Sequence, residues 1–196
     1  MELLMRNLQN NRQSLFIKDA HLIWLNFAGV ERQNNRAGER NFCVALKPRG
    51  ESLEPAVANF CDKLATDGWN LKVKDYSSQN GSDKYVVGVD YNEEDLLIFL
   101  PVKVSFDHIP PKVFERVGEN GKKIKLDEST IDELDYAEIE NAMIEINPSQ
   151  WKVNGKSGVK AYLKEAVFTI SPSPFDDDFP QSPTDDDPED YDPFNV

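Results

Sequence analysis

The stretch Trp151-Lys-Val-Asn154-Gly155-Lys-Ser-Gly158-Val159-Lys160-Ala161-Tyr162-Leu163-Lys164 decides how the chain folds. Asn-Gly between two runs of β-formers is a hairpin signal, because both residues tolerate the left-handed backbone of a tight turn. In the returning run Val159, Ala161 and Leu163 fall on one face, and Lys160, Tyr162 and Lys164 on the other. That alternation is the mark of a half-buried strand. It continues to Ile170, and Ile139–Asn147 supplies strand sequence upstream of the hairpin.

Further out, Leu15 to Phe27 is rich in β-formers and too apolar for a surface strand; it reads as a long buried strand bent near Asp19. A loop from Gly29 to Glu39, with Asn34, Asn35 and Gly38 as breakers, leads to a second strand, Arg40 to Lys47. Leu53, Ala56, Val57, Phe60, Cys61, Leu64 and Ala65 then recur at helical spacing, with Ser52 as cap, Pro55 in the first turn and Gly68 as stop. Short strands follow: Trp69–Tyr76, Lys84–Tyr91, Ile98–Phe106, Lys112–Val117 and Lys122–Leu126, with a short helix at Thr130–Tyr136. About seven or eight strands with one clear α-helix predict a mainly β domain, a closed or nearly closed antiparallel β-barrel. The polar first dozen residues read as a flexible N-terminus over 1–14.

The chain has 196 residues and a formal net charge of −13, which taken whole argues against a polyanion binder. The charge is unevenly spread. Residues 172–196 hold nine of the 35 acids and none of the 22 bases, so residues 1–171 carry 26 acids against 22 bases. The same segment holds six of the twelve prolines and a single aliphatic residue, Val196. It cannot bury enough surface to offset its ordering entropy and reads as a disordered acidic tail.

Several classes of function drop out. No apolar run approaches the length of a membrane span, and Glu2 with a short apolar segment argues against a signal peptide. Cys43 and Cys61 lack the further ligands a structural zinc site needs, and Cys61 lies on the apolar helix face. Gly155-Lys156-Ser157 is no phosphate loop, because position 150 is Gln and the motif sits in a hairpin turn. Asn80-Gly81-Ser82 has the form of a glycosylation acceptor but, with no secretory signal, reads as a turn. His21 and His108, the two histidines, have no partners suggesting a metal or general-base cluster. No catalytic residue, metal or cofactor is expected, and the chain does not read as an enzyme.

The binding signal is stronger. Lys72, Lys74 and Tyr76 share a face opposite Leu71 and Val73, as Lys160, Tyr162 and Lys164 do in the hairpin; Arg40 and Phe42 share one in the second strand. Arg32 and Arg36 lie in the loop before that strand, and Lys152 and Lys156 lie on the hairpin. Such residues also suit an ordinary solvent face. Together they match what single-stranded nucleic acid needs, cations along the phosphates and rings under the bases. The phosphate set is therefore Arg32, Arg36, Arg40, Lys72, Lys74, Lys152, Lys156, Lys160 and Lys164, and the stacking set Phe42, Tyr76, Trp151 and Tyr162. Trp69 and Trp151 stand at strand starts, placed either to stack or to close the barrel, while Trp24, Phe60 and Phe168 read as core. In the tail, acids with isolated aromatics (Asp185, Asp186, Asp187, Asp190, Asp192, Phe194) could dock on a basic, pocketed partner or fold over the chain's own basic groove.

Asn41-Phe-Cys-Val44 after the arginine loop, Asp67-Gly-Trp-Asn-Leu-Lys72, Pro110-Pro-Lys112, Leu134-Asp-Tyr-Ala-Glu-Ile-Glu-Asn141 and Trp151 to Leu163 form an ordered set over about residues 15–170. Together they resemble a family of bacteriophage single-stranded DNA-binding proteins. The resemblance implies an OB-like barrel over 15–171 that coats and protects single-stranded DNA in phage replication and recombination, in the cytoplasm of the infected bacterium. It further implies a tail over 172–196 that recruits replication or recombination proteins. Here the Asp176-Asp-Asp-Phe-Pro180 block is internal and the chain ends Pro-Phe-Asn-Val196, a departure from bacterial tails that end on Pro-Phe. No membrane partner is expected, and homo-oligomerisation is left open. The competing reading is an acidic interaction module, or a DNA mimic that blocks a host DNA-binding protein.

Overall fold

The hairpin forms where Asn154 and Gly155 place it, with φ of +49° and +77° at the two turn residues. Its arms are much longer than the alternation alone marks, each fifteen residues: Ile139–Val153 and Lys156–Ile170. The computed structural model describes residues 1–7, 13–32 and 35–172. In chain order its elements are β1 (Glu2–Asn7), β2 (Gln13–Lys18), β3 (His21–Asn26), β4 (Arg40–Lys47), α1 (Pro55–Thr66), β5 (Lys72–Asp75), β6 (Ser82–Lys84), β7 (Leu96–Val104), β8 (Lys112–Val117), β9 (Ile124–Leu126), a 3₁₀ turn (Ile131–Asp135), β10 (Ile139–Val153) and β11 (Lys156–Ile170). The expected acidic tail and its candidate residues Asp185, Asp186, Asp187, Asp190, Asp192 and Phe194 lie outside the described residues, apart from Pro172.

The expected bend at Asp19 is present. Asp19 takes φ +50°, a conformation Asp tolerates better than most, and its carboxylate accepts a hydrogen bond from the Asn141 side chain at 2.7 Å. The bend divides one long strand into β2, which pairs with β10 (Ile17↔Ile144), and β3, which pairs with β4 (Leu22↔Val44). From β4 the pairing passes to β7 (Val44↔Leu100), to β11 (Val102↔Ala161), and through the hairpin back to β10. This circuit of pairings is OB-like. Among the described residues the strand pairs are antiparallel except those of β11 with β7 and β8, where the connections are long enough to bring the chain back in the same direction.

Inward-facing residues fill this arrangement: Leu15, Ile17, Val44, Leu100, Ile144 and Leu163 are buried, and Phe27 packs on Phe42 and Phe168 at 5.5 and 5.7 Å between ring centres. Each such side chain contributes about 1.5–3 kcal/mol by leaving water. Helix α1 adds Cys61 and Leu64. Burial pushes both thiols up to about 12, with Asp62 reinforcing the effect at Cys61, so neither is a reactive thiolate at neutral pH. The helix starts later than the spacing suggests, at Pro55, with Glu54 rather than Ser52 at its N-cap. It stops at Gly68 (φ +85°), whose carbonyl accepts the Val159 N–H at 2.8 Å and ties the helix end to β11.

Two segments differ from the reading of the sequence. The stretch expected to fray contains β1, paired residue by residue with β2, because Leu3 and Met5 reach the core while Glu2 bridges Lys18 at 3.1 Å. The run Lys84–Tyr91 forms no strand beyond β6. Gly88 at φ +82° turns the chain there, and the Tyr85 and Tyr91 rings pack together at 4.7 Å. No helix among the described residues is long and apolar enough to cross a membrane.

A candidate nucleic-acid interface

Strand register decides which side chains share the outer side of this sheet. In β7, Ile98, Leu100, Val102 and Val104 point into the core, so Leu97, Phe99, Pro101 and Lys103 point out. Lys72 pairs with Phe99 and Lys74 with Leu97 on one flank of β7; Tyr162 pairs with Lys103 further along the same flank. On the other flank Ala45, Cys43 and Asn41 of β4 pair with Phe99, Pro101 and Lys103. The hairpin extends the same face through Asn147↔Tyr162, Ser149↔Lys160 and Trp151↔Gly158. Two strands distant in sequence, one read as cation-cation-aromatic and the other as cation-aromatic-cation, thus meet on one surface, one after the other along the same side of β7.

Most sequence-designated residues lie on this face. Lys72, Lys74 and Tyr76 alternate outward against buried Leu71 and Val73. Lys74 Nζ sits 4.8 Å from the Tyr76 ring centre. Lys160 and Lys156 are exposed on it, and Trp151 is half-buried with its ring laid over Gly158; Lys152 is exposed too, but as the neighbour of Trp151, paired with Ser157, it alternates to the other side of the hairpin. Among the described residues Lys72, Lys74, Lys152, Lys156 and Lys160 make no ion pair. Lys164 is committed elsewhere, to Glu145 at 2.9 Å, where the Ser14 hydroxyl also donates at 2.6 Å. Burial alone would raise the Glu145 carboxyl, but these two partners outweigh it and hold the group below its ordinary value.

The arginine loop sits at the Lys103 end. Arg32 and Arg36 are exposed; the Arg36 N–H donates to Glu39, whose other oxygen meets Lys103 at 3.5 Å, and these contacts keep the Glu39 carboxyl below its ordinary range. Arg40 and Phe42 do share a face, but it is the inner one. Phe42 is fully buried against Phe27 and leaves the stacking set. Arg40 stays at the rim, paired with Glu128 at 2.9 Å and lying over Phe106. Trp69, at 2% exposure, belongs to the core.

Trp24, read as core, is 42% exposed on the outer face, its ring edge-on to Phe99 at 4.9 Å. Lys103 was also missed, although the parity of Leu97, Phe99, Pro101 and Lys103 against Ile98, Leu100, Val102 and Val104 carries the signal; Phe99, of the same parity, is itself buried with Ala45 and Leu97 beneath Trp24. Arg49, held by Asp95 at 2.7 Å and lying over Tyr76, had no sequence signal at all.

Fold and face together define an OB-like module with cations and aromatic rings arrayed on its outer strands. Over residues 5–192 the chain matches the family described as "Putative phage ssDNA-binding domain", and it belongs to that family. Among solved structures it is similar to the single-stranded DNA-binding protein from bacteriophage Enc34. The C-terminal truncation of that protein, and the protein in complex with ssDNA, each give a TM-score of 0.47 at 10% identity, over 89% of this chain and 98% of that one. A third structure of the same protein gives 0.45 at 11% identity, over 97% and 98%. No curated protein matches the chain.

Proposed function

We propose that the chain binds single-stranded DNA without regard to sequence, along the outer face of β5, β7 and β11. The observation that carries this is the meeting of Lys72, Lys74 and Tyr76 with Lys103, Lys160 and Tyr162 on one surface, joined by Trp151. Unpaired cations along such a face track phosphates, and Tyr76, Tyr162 and Trp151 offer π-surfaces that any base can use. Family membership supports the same reading. In this reading the chain coats DNA in the cytoplasm of an infected bacterium during replication or recombination, and acts as a binder rather than an enzyme. Its acidic C-terminal segment, with Asp185–Asp187, Asp190, Asp192 and Phe194, recruits partner proteins or competes with DNA for the face.

The test is titration of the full-length protein with a 30-nucleotide oligo-dT across a salt series. With the four lysines of this face that make no ion pair among the described residues engaged (Lys72, Lys74, Lys156 and Lys160), log K should fall with log salt at a slope of roughly −3. No binding at low salt would overturn the reading and leave the acidic interaction module as the explanation.

A further inference from the structure

We infer that Trp24 and Tyr76 wall a slot for an unpaired nucleobase, with Lys74 placed to take the adjoining phosphate. This rests on the single-strand reading above and names one subsite within it.

His21 and Ile23 pair with Ala45 and Cys43, whose side chains are on the outer face, and Leu22 pairs with Val44 of the core. Residue 24 is therefore due to point inward. Pairing instead jumps from Ile23↔Cys43 to Asn26↔Asn41, so two residues of β3 stand against one of β4. Leu25 takes the inward place and packs on the core. Trp24 is the extra residue, at φ +53°, and is turned out. A bulky side chain in this region is an outlier, and glycine would occupy the position without strain. A strained residue held by its surroundings is a reason to ask what its side chain does.

The surroundings give an answer. A cavity of about 330 Å³ opens beside Trp24, floored by Ala45 and Leu97 and walled by Tyr76 and Arg49. Lys74 Nζ lies within reach of both rings, 5.5 Å from the Trp24 ring centre and 4.8 Å from that of Tyr76. Arg49 lies 5.0 Å from the Tyr76 ring centre and is neutralised by Asp95, which leaves Lys74 as the cation beside these rings that makes no ion pair among the described residues. An apolar ligand would have no use for that cation, and a bare anion none for two aromatic walls. A nucleotide in a flexible strand uses both. The slot lies on the same face as Lys72 and Tyr162, so one strand can cross all of them.

The experiment uses full-length protein and a labelled 30-nucleotide oligo-dT, read by anisotropy and by tryptophan quenching. Trp24→Ala and Trp24→Gly should each weaken binding on the order of ten-fold, the effect of one lost stacked base. The Gly variant should keep or raise the urea midpoint, since the strain is gone. Trp24→Phe should keep most of the affinity yet lose much of the quench, because Trp69 is buried and only Trp151 remains accessible. Wild-type binding with undiminished affinity in the Ala and Gly variants, and an undiminished quench in the Phe variant, would overturn the slot while leaving the single-strand reading intact. No wild-type binding would overturn both. An affinity that rises in Trp24→Ala, and no longer does so once Asp185, Asp186 and Asp187 are changed to Asn, would give the cavity to the acidic tail and overturn the nucleobase assignment.

Discussion

Phe42 and Tyr162 stand two strands apart in one sheet, each two residues from a cation, and they face opposite sides of it. Phe42 pairs with Val102, inside; Tyr162 pairs with Lys103, outside. The difference lies in their neighbours. Around Tyr162 one parity is wholly polar and the other wholly apolar, so the strand has only one stable orientation. In β4 both parities are apolar, with Phe42, Val44 and Leu46 against Cys43 and Ala45. A strand with two apolar faces can be read either way, and here the bulkier set fills the core while the smaller one lies under Phe99 and Trp24. A cation beside an aromatic does not mark a binding face; the contrast between the two parities does.

Phe42→Ala should cost about 3–5 kcal/mol of unfolding free energy by chemical denaturation, the loss for a fully buried phenylalanine. A loss below about 1 kcal/mol, with DNA affinity reduced instead, would return Phe42 to the outer face. Tyr162→Ala should behave oppositely. Oligo-dT affinity should fall by about 1–3 kcal/mol with the denaturation midpoint little changed. Unaltered affinity would remove Tyr162 from the interface.

How much was legible follows from the same physics. The hairpin, the helix, the bend at Asp19 and the outward sets on β5 and β11 could be read because local pattern and tertiary burial agree there. β1 was missed because its apolar residues are few and its partner, β2, lies beyond a polar connection. The orientation of Trp24 was not legible: one left-handed residue in a strand reverses the parity on which such readings depend. The junction of β5 with β11 along β7 was also out of reach, because the antiparallel β5–β7 and parallel β7–β11 pairings both span long connections and leave no local trace.

A smaller effect tests how far the outer face runs along the hairpin. A Cβ at Gly158 would lie 3.0 Å from Trp151 Nε1 and 3.1 Å from two ring carbons, so the indole can lie flat only on a glycine. Gly158→Ala should lift the ring at a cost of about 1 kcal/mol, low for overpacking because Trp151 is half-exposed and free to move. Tryptophan emission should shift, and oligo-dT binding should change with it. An unchanged spectrum would mean that the ring is not seated there.

The smallest effect concerns Lys164, the outward residue of β11 that Glu145 occupies. With Ser14 and Lys164 as partners, the Glu145 carboxyl titrates below its unfolded value of about 4.3. The unfolded state therefore takes up its proton first as pH falls. The stabilisation is fully present above about pH 4.3 and is lost as pH drops through the lower, folded value. Glu145→Gln should flatten that part of the stability–pH curve by less than about 1 kcal/mol, since the lysine is partly in water. The same change frees Lys164 on the DNA side of the sheet. If that lysine is held back by its ion pair, oligo-dT binding should tighten slightly at low salt and its salt slope should steepen by about 0.7. An unchanged slope would mean that the phosphate path ends at Tyr162 and never reaches Lys164.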